Sequence, residues 1–101
     1  MEPESFAKLP LHDALLSSVE ILWSERTCRL HMKVFTQRDQ NASPHALEFH
    51  GVSSVRIPHE DSWGPSVCVL EGSYASGIFN IQMQSGDLIE IAAHDFELLA
   101  L

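Results

Sequence analysis

The chain has 101 residues, room for one domain, since a domain typically takes ~100 to 150 residues and shorter chains bury proportionately less surface. It is 45% hydrophobic, yet no apolar run approaches the ~20 residues that span a bilayer, which excludes a membrane-spanning segment. Six basic residues against 14 acidic ones leave a net charge of −8, which repels phosphate backbones and argues against nucleic acid as a ligand.

The opening Met1-Glu2-Pro3-Glu4 carries acids where a secretory signal would carry Lys or Arg, so the chain is expected to stay in the cytoplasm. Residues 1–8 show no periodicity and read as a loose N-terminal segment or a short surface pad. Residues 9–14 read as a turn or single helical turn that packs Leu9, Leu11 and Leu15 beneath a first strand. Val19, Ile21 and Trp23 then alternate, and residues 24–27 form a polar turn. In residues 27–35, Cys28, Leu30, Met32 and Val34 face one way and Arg29, His31 and Lys33 the other, the period of two of a half-buried strand. Setting Trp23 opposite Cys28 puts Ile21 against Leu30 and Val19 against Met32. A one-residue slip would oppose apolar and polar side chains at every rung. Glu25-Arg26 lack the positive-φ preference of a two-residue turn, so a four-residue loop built on a type I turn is expected.

Residues 36–44 are polar and read as an exposed, mobile loop. Leu47 and Phe49 resume the alternation, Gly51 interrupts it as either a bulge or a bend, and Val55 and Ile57 continue it. A second loop, residues 59–66, holds Trp63 between Pro58 and Pro65. Residues 67–70 are apolar without alternation, which predicts a central or covered strand. Residues 72–77 read as a small-residue turn around Tyr74. In a last hairpin, residues 78–93, a three-residue loop with Gly86 in the left-handed position pairs Ile81 with Ile89, Phe79 with Ile91 and Asn80 with Glu90. The tail, residues 94–101, is apolar enough to dock as a short strand or helical turn. The expected fold is all-β and mostly antiparallel, a single small domain over residues 1–101. Six to eight short strands form a curved sheet, sandwich or partly open barrel with at most a short helical turn.

Chemistry-bearing patterns are sparse. Zinc needs three or four converging ligands, usually with a close-spaced pair such as HxxxH or CxxC; the six histidines supply no such pair, and no metal is expected. The five glycines form no phosphate cradle, so no nucleotide or other cofactor is expected. Cys28 and Cys68 read as buried hydrophobes, with a disulfide as the alternative. No serine or cysteine stands in an evident relation to a histidine held by a third group, and no catalytic residue is assigned. The loop with Trp63 suits binding better. Tryptophan is enriched at interface hot spots, and His59, Glu60 and Asp61 would form its polar rim. The alternative, which ranks slightly ahead, is that Trp63 folds back to close the open end of a sheet.

Four segments, Leu11-His12-Asp13-Ala14, Leu47-Glu48-Phe49-His50-Gly51-Val52, Trp63-Gly64-Pro65-Ser66 and Met83-Gln84-Ser85-Gly86-Asp87, resemble small uncharacterised bacterial β-rich proteins. Some of these are grouped with immunity proteins of polymorphic toxin systems. The likeness spans residues 9–98 and implies a compact protein that acts by binding, with no transferable catalytic residues. The functional expectation is a non-catalytic protein-binding module, immunity-type, whose acidic surface and Trp63 loop cover a basic partner protein. The alternative is a small-molecule-binding or minor enzymatic β protein, with a pocket near the Trp63 loop gathering His12, His31, His50, His59 or His94. A symmetric homodimer is expected through the last hairpin or the sheet face around it, because residues 78–84 carry no charge that would blunt an edge.

Overall fold

A computed structural model describes residues 2–37 and 41–101, so residues 38–40 of the expected polar loop lie outside the described residues. A short 3₁₀ helix, Pro3–Lys8, precedes eight strands: β1 (Leu15–Leu22), β2 (Thr27–Val34), β3 (Ser43–His50), β4 (Ser54–Arg56), β5 (Val69–Ala75), β6 (Ile78–Met83), β7 (Leu88–Ala92) and β8 (Asp95–Ala100). They form two four-stranded antiparallel sheets, ordered β1-β2-β3-β8 and β4-β7-β6-β5. The all-β antiparallel expectation holds, and the two sheets face each other across one core.

Alternation decides which side chains enter that core. Cys28, Leu30, Met32 and Val34 of β2, Leu47 and Phe49 of β3, Phe79, Ile81 and Met83 of β6, and Ile89 and Ile91 of β7 are all buried. The β6–β7 hairpin has the expected register, with Ile81 opposite Ile89, Phe79 opposite Ile91 and Gly86 at φ +96. The β1–β2 register differs from expectation by two residues: Ile21 lies opposite Cys28 and Val19 opposite Leu30. A two-residue slip leaves every side chain on its own face, so burial does not resist it. The loop keeps four residues but comprises residues 23–26, closed by Arg26 N–H donating to Trp23 O at 3.2 Å. Trp23 therefore leaves the strand and is 88% exposed.

Gly51, at φ +67, is a bend and not a bulge: it carries the chain from β3 in one sheet to β4 in the other. Residues 67–70 do not make a central strand. β5 is an outer strand, and its apolar run reflects an irregularity between Val69 and Glu71 together with a bridge from Cys68 to Leu15 of β1. Val67 and Leu70 are exposed as a result. Tyr74 lies within β5, and the turn is confined to Ser76 and Gly77, both at positive φ as a two-residue hairpin requires. The strand expected to offer a free edge is β6, which is paired by β5 on one side and β7 on the other. Self-association through a β6 edge thus has no place to form.

The N-terminal segment also departs from expectation. Phe6 is fully buried, its ring centroid 5.1 Å from those of Phe79 and Phe96 and 5.8 Å from that of Phe49. Gly72 makes the space, since a Cβ there would fall 2.9 Å from Phe6 Cε2. Both cysteines are free; Cys28 is buried, which pushes its thiol up to about 11, whereas Cys68 is partly exposed. The former is an inert packing group.

Candidate functional site

The Trp63 loop is held on the tip of the β6–β7 hairpin by one carboxylate. Asp87, 3% exposed, accepts hydrogen bonds from the backbone N–H of Glu60 at 2.8 Å and of Asp61 at 3.2 Å, and from the Ser85 hydroxyl at 2.8 Å. The Ser85 hydroxyl also contacts that of Ser66 at 2.9 Å, and Trp63 N–H donates to Ser85 O at 2.9 Å. The Glu60 N–H, with the Ser85, Asp61 and Ser66 donors behind it, outweighs burial and holds the Asp87 carboxyl down to about 2. Sequence reasoning missed this anchor, although an acid just after a hairpin glycine is well placed to receive a neighbouring loop.

The four residues expected to bind, His59, Glu60, Asp61 and Trp63, do share this loop. Asp61 takes φ 54, accepts Ser66 N–H at 2.9 Å and lies 3.2 Å from His59 Nε2. Trp63 does not fold back over a sheet end; it is 80% exposed, with its indole edge against the bare backbone of Gly86. A Cβ at Gly86 would fall 2.8 Å from Trp63 Cε3. Gly86→Ala is therefore expected to cost about 1–2 kcal/mol through its positive φ alone. It should also lift the indole off the tip, read as a lower urea midpoint and changed tryptophan emission. The loop itself carries Glu60 and Asp61, and no Lys or Arg follows Arg56 in the sequence.

At the other end of the sandwich the β1–β2 turn meets the β3–β4 bend, with Val52 N–H donating to Arg26 O at 2.9 Å. A groove of about 470 Å³ opens there, lined by residues that include Ile21, Trp23, Arg26, Val52 and Val55. Its lining holds no histidine or carboxylate. The histidines expected to converge are dispersed. His12 contacts Leu70 O, His31 and His50 lie beside Glu20 and Glu48 of the first sheet, His59 is in the loop, and His94 stands against Gly51.

The outer face of the first sheet carries a polar rung that alternation alone does not reveal. Register sets Glu20, Arg29, Glu48 and Glu97 side by side across β1, β2, β3 and β8. Arg29 Nε donates to Glu48 Oε2 at 2.6 Å and Nη1 to Glu20 Oε1 at 2.8 Å. Both bonds raise the guanidinium further above its ordinary range, Glu48 most, against a smaller opposing effect of burial.

No protein-family model matches this chain, and no curated protein does. A crystal structure of an uncharacterized protein from Neisseria gonorrhoeae is similar, at 16% identity and a TM-score of 0.58, over 89% of this chain and 93% of that one. Identity that low shows a shared fold and carries nothing about immunity function.

Proposed function

We propose that this protein is a non-catalytic binding module that covers a basic partner protein with the Trp63 loop. The observation that carries the reading is an indole 80% exposed on a loop whose backbone is pinned by a nearly buried carboxylate. A large aromatic presented in a fixed geometry loses little freedom on binding, and an acidic rim favours encounter with positive charge. In its finest form the proposal is an immunity-type protein that neutralises a basic toxin in the cytoplasm, where both free thiols would stay reduced. No helix among the described residues is long and apolar enough to cross a membrane. A symmetric homodimer would have to use an outer strand or a sheet face, and sedimentation equilibrium at tens of micromolar protein distinguishes it from a monomer.

Co-expression with the product of the adjacent gene, followed by purification, tests the reading. A stable, salt-sensitive complex is the expected result. Trp63→Ala should weaken it at least roughly tenfold, as truncation of a hot-spot aromatic does, while the urea midpoint stays unchanged. A complex indifferent to Trp63 would move the interface elsewhere, and no complex at all would count against the reading.

The small-molecule alternative draws its support from the opposite end, where the groove beside Trp23 has the size of a ligand site, roughly 300 to 1,000 Å³. A ligand that shields Trp23 but not Trp63 from an aqueous quencher would favour it.

A further inference from the structure

Glu48 and His50 lie two residues apart on β3, so their side chains leave the same face of the first sheet. Glu97 of β8 stands directly opposite Glu48. One ligand atom from each of these three residues lies within 4.8 Å of the other two. Like charges facing each other across a strand pair repel. Arg29 offsets the charge of Glu48 through Oε2 and gives its other hydrogen bond to Glu20, whereas Glu97 has no ion pair among the described residues.

That arrangement leaves a definite shape. Arg29 fixes the Glu48 carboxylate, whose side chain is 12% exposed, and its other oxygen, Oε1, lies 3.6 Å from His50 Nε2. Two ligands at ~2.1 Å from one tetrahedral ion stand ~3.4 Å apart, so these two atoms already have nearly the separation of a shared metal. An outer hydrogen bond that orients a carboxylate is a regular part of metal sites, and Arg29 supplies one here.

We propose that Glu48, His50 and Glu97 bind a divalent transition-metal ion of the zinc class on the outer face of the first sheet, with water completing its coordination. Imidazole beside two carboxylates suits zinc and its neighbours better than magnesium or calcium, which prefer all-oxygen shells. The site is separate from the Trp63 loop and does not depend on the partner reading.

Titration of the metal-free full chain with Zn²⁺ by calorimetry, and with Co²⁺ by visible absorption, tests it. One equivalent should bind, with Co²⁺ giving the absorption of a low-symmetry nitrogen and oxygen shell. His50→Asn and Glu97→Gln should each weaken binding tenfold or more with unchanged circular dichroism, while His59→Asn leaves it intact. Failure of Zn²⁺ to bind would overturn the proposal. So would binding that survives both His50→Asn and Glu97→Gln, or Ca²⁺ affinity equal to that for Zn²⁺. Because all of these variants lie on exposed or partly exposed positions, the fold is a built-in control.

Discussion

Phe6→Ala is expected to destabilise the protein by about 3–5 kcal/mol, the range for emptying a buried aromatic site. Against a total stability of roughly 5–15 kcal/mol for a domain of this kind, that is enough to leave the fold marginal. The argument rests on where the ring sits. Phe6 is fully buried against Phe49 of β3, Phe79 of β6 and Phe96 of β8, and so joins both sheets. Tilted and edge-on contacts at these separations add to simple burial. The cavity would have little chance to collapse, because the 3₁₀ turn is held at its end by Leu9 N–H donating to Phe6 O. Urea unfolding followed by circular dichroism checks this, and Phe6→Leu should recover part of the loss. A change under about 1 kcal/mol would mean that the segment is a surface pad after all.

Asp87→Asn is expected to release the Trp63 loop and remove an acid-sensitive part of the stability. The folded-state carboxyl is held at about 2, below its ordinary 3.8, so it contributes stability that is fully present above 3.8 and is lost as pH falls through about 2. In the wild type the urea midpoint should therefore drop between pH 4 and pH 2 by more than in the variant. At neutral pH the variant should already lie below the wild type. The amide aims an N–H where Asp61 N–H, Glu60 N–H or the Ser85 hydroxyl donates, and two donors cannot satisfy each other. Trp63 emission should shift with the loop, and affinity for the proposed basic partner should fall with it. Identical pH profiles for the two proteins would remove Asp87 from this role.

How much of this was legible in the sequence depends on whether neighbours along the chain decide the outcome. The β6–β7 register follows from alternation and from Gly86, all within one short stretch, and it was readable. The β1–β2 register was not, because a shift of two residues preserves both faces, and the contacts that tie β1 and its turn to Val52, Val67 and Cys68 are distant in sequence. Phe6 belongs to no period, and its ring partners come from β3, β6 and β8, so nothing near it in sequence marks it as core. The loop residues His59, Glu60, Asp61 and Trp63 could be chosen by composition. The exposure of Trp63 could not, since it turns on the bare backbone at Gly86 and on the distant Asp87. Glu48, His50 and Glu97 meet only through the pairing of β3 with β8. A search for close-spaced ligand pairs of the helical kind passes over an i, i+2 pair on a strand.

The ring contact between Phe6 and Phe96 sets a schedule for the nascent chain. At a synthesis rate of roughly 5–20 residues per second, some 5–20 s separate the emergence of the first ring from that of its last partner. Through that interval β3 waits for β8 and the aromatic centre stays open, so the sandwich cannot close before β8 has emerged. Pairings this distant in sequence also make closure slow once it can begin. During that time exposed phenylalanines and unpaired strands are available to other chains. Production in the cell should accordingly be limited by early aggregation more than by the stability of the finished sandwich, and slower, cooler expression should raise the soluble yield.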